Sequence, residues 1–168
     1  PSLQTDHSQI YRSNSIDLNC ERHMKVFETV KIIPEFCFSC YKVQIEVSSV
    51  LDLIRLAQLL YKMNFKNDLT SKCMIEMRSF IPGFYKGLIY CNELREAQEV
   101  KKLFDTRLGS IDKNLCSKIK RGCSEYPLLF PEYNKVGQTE LGRMSYPKKW
   151  KSLEKDFDKN FSTEVEKV

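Results

Sequence analysis

The sequence predicts an α+β domain of the ferredoxin-like βαββαβ type, a four-stranded antiparallel sheet with two helices on one face. Three observations predict it. YKVQIEV (41–47) alternates Tyr41, Val43, Ile45 and Val47 with Lys42, Gln44 and Glu46, the period of a half-buried strand. KCMIEMR (72–78) and KGLIYC (86–91) read as two more strands around SFIPGFY, whose Pro-Gly pair marks a turn. Helical periodicity then separates the first strand from the second, and the third from a weaker fourth, NLCSKIKRGC (114–123).

Taken in order, residues 1–19 form a polar lead-in that contains His7, expected to be solvated. The first residue is Pro rather than Met, as expected of a processed chain or a piece of a longer one. In SSVLDLIRLAQLLYKM, Ser49 is the N-cap and Asp52 completes a capping box. Leu53, Ile54, Ala57, Leu60 and Tyr61 then supply an apolar stripe. Asn92 is placed to cap the second helix, ELREAQEVKKLFDTRL, with Leu94, Ala97, Val100, Phe104 and Leu108 on one side. Right-handed crossovers order the strands 4-1-3-2 and leave one sheet face open.

On this reading residues 20–126 are the ferredoxin-like domain, with a Cys/His extension at its start. Residues 127–168 are a wrap followed by an amphipathic C-terminal helix. That helix sets Trp150, Leu153, Phe157 and Phe161 at helical spacing, a stripe that docks within the chain or on a protein partner.

Composition bounds the function. A 168-residue chain that is 42% hydrophobic and 29% charged is an ordinary folded one rather than a disordered tail. No apolar run approaches the roughly 20 residues that cross a bilayer, so no membrane partner is expected. Seven cysteines, an odd number in a chain of this length, argue against a disulfide scaffold and for a reducing, cytoplasmic setting. A net charge of +5 permits phosphate or nucleic-acid partners without demanding them. Neither a phosphate-binding glycine loop nor a Ser/His/Asp set is present, so no reaction is named.

Two clusters carry the candidate chemistry. CERHMKVFETVKIIPEFCFSC (20–40) holds Cys20 and His23 two residues apart, then Cys37 and Cys40 two residues apart. Paired soft donors at this spacing are what tetrahedral zinc requires. Cys123 is an alternative fourth ligand, because the first strand starts and the fourth ends at one edge of the sheet. Three or four thiolates would also suit an iron–sulfur cluster. The competing reading is that Cys37 and Cys40 are buried thiols and His23 is solvated. A redox CFSC pair is disfavoured, since a strand rather than a helix follows it. Cys73 and Cys91 face each other on the core side if the hairpin centres near residue 82.

The second cluster is the open face, with Lys42, Gln44, Glu46, Glu76, Arg78, Lys86, Leu88, Tyr90, Lys118 and Lys120. Lys42, Arg78, Lys86 and Lys120 are expected to gather at one edge, balanced by Glu46, Glu76 and Glu125 or by a bound anion clamped by Arg78. Tyr90, with Tyr85 beside it, is too little aromatic surface for base stacking, so nucleic acid would be held through its backbone. The leading expectation is therefore a cytoplasmic, zinc-stabilised binding module that engages an anionic partner, nucleic acid or a phosphorylated ligand. One alternative is an enzyme using Glu46, Glu76, Arg78 and Lys42. The other is a subunit that docks through its C-terminal helix.

Overall fold

The structure, a computed structural model, describes residues 9–12, 18–65, 69–109, 111, 115–136 and 143–165; His7 lies outside them. The strands are β1 (Gln9–Arg12), β2 (Tyr41–Val47), β3 (Ser71–Ile75), β4 (Tyr85–Cys91) and β5 (Lys118–Arg121). The helices are α1 (Cys20–Val30), α2 (Val50–Lys62), α3 (Leu94–Leu108), α4 (Tyr126–Leu129) and α5 (Trp150–Val165), with 3-10 turns at Glu35–Phe38 and Pro131–Asn134. Two compact units result, Pro1–Ile16 with Cys40–Lys120, and Asp17–Ser39 with Arg121–Val168. Cys20, His23 and Cys37 thus group with the C-terminal part of the chain, and Cys40 with the first unit.

The first unit is a mixed α+β unit built on a five-stranded sheet in the order β1-β3-β4-β2-β5. The four expected strands stand in the expected order, and a fifth is added at the β3 edge. β1 comes from the polar lead-in and pairs antiparallel with β3, setting Ile10 opposite Cys73. Backbone pairing to a sheet edge needs no apolar alternation, so QIYR carries no signal of period two.

α2 begins as the sequence indicates, with the Asp52 amide donating to Ser49 Oγ at 3.1 Å. Its inward stripe is different, however. Leu53, Leu56 and Leu60 are buried, whereas Ile54 is 51% and Tyr61 76% exposed. The helix is apolar on two sides, so periodicity alone does not choose the side. Close approach to the sheet does: a Cβ at Gly87 would lie 2.6 Å from Leu56 Cδ2, so only glycine lets this leucine seat there. α3 starts at Leu94, and the expected cap is inverted, since Asn92 gives its amide to Glu96 Oε2 (2.8 Å). Ala97, Val100, Phe104 and Leu108 are buried as read.

The hairpin register also shifts. Cys73 faces Gly87, and Cys91 faces Tyr41, because the ladder centres on residue 80 rather than 82. The Glu76 amide donating to the Phe84 carbonyl (2.7 Å) closes a longer connection than a tight Pro-Gly turn would. Both thiols stay buried, and burial pushes each up to about 12, Cys91 with help from Glu96 and Cys40. They are packing groups.

The second unit is held by an aromatic core. Val26, Phe27, Ile32, Ile33, Cys37, Tyr126, Tyr133 and Trp150 are buried together. Phe27 meets Tyr126 edge-on at 4.9 Å, and Phe130 meets Trp150 at 5.1 Å. Arg121 sits among them, donating to the Phe38 carbonyl (3.1 and 2.8 Å) and the Met144 carbonyl (2.8 Å), with Phe38 and Tyr133 rings each 5.0 Å away. Of the C-terminal stripe, Trp150 is buried and Phe157 packs on this core, while Leu153 is 40% exposed.

Arg22 of α1 fastens α5. Its Nε and Nη2 donate to both Asp158 carboxylate oxygens (2.9 and 2.7 Å), and Nη1 reaches Glu154 Oε2 at 3.1 Å. Glu154 also accepts from the Glu35 amide (2.7 Å) and the Tyr146 hydroxyl (2.8 Å). Arg22→Ala should therefore lower this unit's stability by about 1 kcal/mol, the half-exposed Asp158 limiting the effect. Trp150, the single tryptophan, reports the loss by fluorescence melting.

Candidate functional site

The sheet face opposite Gly87 and Leu56 carries Lys42, Gln44 and Glu46 from β2, Lys72 and Met74 from β3, and Lys86, Leu88 and Tyr90 from β4. Cross-strand pairs fix their places: Lys42 with Tyr90, Gln44 with Leu88, Glu46 with Lys86, Lys72 with Leu88 and Met74 with Lys86. Lys42 and Lys86 thus stand four residues apart along the ladder, about 13 Å at the rise of a strand. The expected gathering of Lys42 with Arg78 and Lys86 does not occur. Instead the face has two poles.

At one pole Glu76 collects the charge. Arg78 donates Nε to Oε1 (2.7 Å) and Nη2 to Oε2 (2.8 Å), its backbone amide adds a bond at 3.2 Å, and Lys86 Nζ reaches Oε2 at 3.2 Å. The bidentate clamp read from Arg78 is thus present, but it holds this chain's own carboxylate. Burial by itself would raise the Glu76 pKa; the bonds from Arg78 and Lys86 outweigh it and bring it down to about 2. A carboxylate so firmly ionised is a weak general base at neutral pH. The connection after Glu76 closes over this pole. Ile81 is buried, Gly83 adopts φ +81°, and a Cβ there would lie 2.8 Å from Glu46 Cδ. Glu46 accepts from Gln44 Nε2 at 2.7 Å.

At the other pole Tyr90 lies under two ammonium groups. Lys42 Nζ is 5.1 Å and Lys72 Nζ 5.8 Å from its ring centroid, and Lys72 also donates to Gln9 Oε1 at 2.8 Å. Tyr90 is buried, as are Gln44, Met74, Lys86 and Leu88, so the face expected to be open is largely covered. Lys118 and Lys120 follow on β5, which adjoins β2; Lys118 is exposed and Lys120 half-buried. Reading alternation along the strand missed Lys72, because only Glu76 and Arg78 stood out on KCMIEMR. Its parity with Glu76 was the available signal.

The sulfur and imidazole donors are dispersed. Cys20 is exposed at the start of α1. His23 is buried rather than solvated and stacks on Phe36, ring centroids 5.1 Å apart. Cys37 is buried with Sγ 3.3 Å from the Tyr126 hydroxyl, and Cys123 packs on the same aromatic core. Burial first, then Cys123 and Cys37, push the Tyr126 phenol far above its ordinary value. Cys40 belongs to the α+β unit. Among the described residues no three His, Cys, Asp or Glu side chains converge as a metal-ligand set. Nor, among them, is any helix long and apolar enough to cross a membrane.

No protein-family model matches this chain, and neither curated proteins nor solved structures yield a match.

Proposed function

We propose that this chain is a binding module for a phosphate-bearing partner, held at the Lys42–Tyr90–Lys72 pole of the sheet. The observation that carries the reading is the pair of ammonium groups over one tyrosine ring. The negative face of the ring favours both ammonium groups where they stand, and a phosphate group is the anionic chemistry that such a pair suits. Lys118 and Lys120 lie on β5, the strand next to the one that carries Lys42, and would add positive charge near this pole. The strand order β5-β2-β4-β3 supports describing this unit as ferredoxin-like with an added edge strand. Tyr90 is buried, so contact with the partner is through charge rather than base stacking, and affinity depends on salt.

The test is fluorescence anisotropy with a labelled single-stranded oligonucleotide and, separately, inorganic polyphosphate. Lys42→Glu/Lys72→Glu should weaken binding at least tenfold. Lys102→Glu/Arg107→Glu makes the same change in net charge on exposed positions of α3 and should have little effect. Equal losses in the two variants, or no salt-dependent binding at all, would remove the proposal.

A further inference from the structure

Within the α+β unit, one side of α3 and residues that follow α2 enclose a groove of about 550 Å³, the size of a small-molecule site. Phe65 and Leu69 line it from the α2 side, and Val100 and Leu103 from α3. Phe65, Leu69 and Val100 are buried, but Leu103 is 44% exposed, so the apolar lining opens to water. Such a hollow favours an apolar body that displaces that water.

The charged residues of the groove select the head group. Among the described residues these are Glu96, Glu99 and Lys102, all on α3. A helix turns about 100° per residue. Measured from the buried Val100, Glu96 stands about 40° round the helix and Glu99 about 100°, whereas Lys102 stands about 160° away, on the outer lip. The carboxylates therefore lie nearer the apolar lining than the ammonium group does. Glu96 is half-buried. Glu99 accepts from Arg95 Nε at 3.3 Å, a pair of the exposed kind that contributes little and leaves its carboxylate able to accept further donors.

We propose that this groove binds an apolar amine. An alkyl or aryl body lies against Phe65, Leu69, Val100 and Leu103, and its ammonium group donates to Glu99, with Glu96 adding negative charge beside it. An anionic head on the same body would meet both carboxylates and be repelled. No residue of the cationic pole lines the groove, so the two readings stand or fall separately.

NMR titration of the isotopically labelled full chain with phenylbutylamine tests the proposal, with phenylbutanoate and phenylbutanol as the matched anion and neutral compound. The amine should give saturable shifts at Phe65, Leu69, Val100 and Leu103 and bind at least about tenfold more tightly than the carboxylate. Glu99→Gln should weaken the amine about threefold and leave the alcohol unchanged. Leu103→Arg, at a wall position open to solvent, should abolish amine binding without altering the thermal melt. No saturable shift in the groove, or equal affinity for amine and carboxylate, would overturn the inference. Amine affinity that survives either substitution unchanged would overturn it as well.

Discussion

Gly122→Ala is expected to cost the second unit about 3–5 kcal/mol, enough to abolish its cooperative unfolding transition. Gly122 adopts φ +53°, and a Cβ built there would lie 1.9 Å from the Tyr133 hydroxyl oxygen and 2.7 Å from its Cζ. The left-handed backbone alone costs an alanine about 1–2 kcal/mol. The ring cannot swing away cheaply: Tyr133 is fully buried, its hydroxyl donates to the Cys37 carbonyl at 2.6 Å, and it packs edge-on against Phe38 and Tyr126. Displacing it leaves a buried carbonyl without this donor, about 1–3 kcal/mol more. Trp150 fluorescence follows this unit alone, so loss of its melting transition is the readout. Gly109→Ala is the contrast, since a Cβ there meets nothing within 4 Å and φ is −56°. Lying in the first unit, it should leave the Trp150 transition unchanged and the α+β unit's own melt, followed by far-UV circular dichroism, unchanged or slightly raised.

Glu76→Gln is expected to destabilise the α+β unit by about 3 kcal/mol, the scale of leaving a buried charge without its partner. The side chains of Lys86 and Glu76 are each 3% exposed, so water cannot replace the lost carboxylate. Arg78, at 39% exposure, can turn to solvent and contributes less to the cost. Hydrogen exchange of β3 and β4 amides measures the loss locally. The pH dependence has a definite sign. The folded pKa of Glu76 lies near 2, below its ordinary value of 4.5. Its contribution is therefore complete above about pH 4.5 and is withdrawn as pH falls towards 2. The wild type should lose stability across that window, and Glu76→Gln should lose correspondingly less.

How much of this was legible beforehand depended on whether local pattern or long-range packing decided each feature. β2 was read to the residue because a half-buried strand writes its two faces into alternating letters. The inward side of α3 was read for the same reason at helical period. The inward side of α2 was legible only in part: Leu53 and Leu60 are buried, but Leu56 stands there in place of Ile54 and Tyr61, against Gly87, 31 residues away in sequence. The parity of the sheet face was readable, which placed Lys42, Gln44, Glu46, Lys86 and Tyr90 correctly. The separation of its charges into two poles was not, since it follows from a register fixed by the connection 76–84. The cysteine and histidine pairs looked like a ligand set because spacing ignores direction: Cys37 turns to Tyr126 and His23 to Phe36. Gly122 and Arg121 lie in KRGC, where nothing local announces the tyrosine and carbonyls they meet.

The most direct test of the binding account is a titration of isotopically labelled protein with a short single-stranded oligonucleotide, followed by amide NMR at low and at moderate salt. The account predicts shift changes centred on Lys42, Lys72, Tyr90 and Lys118–Lys120 that fade as salt rises. Changes confined to α2 or α5, or no change at low salt, would contradict it.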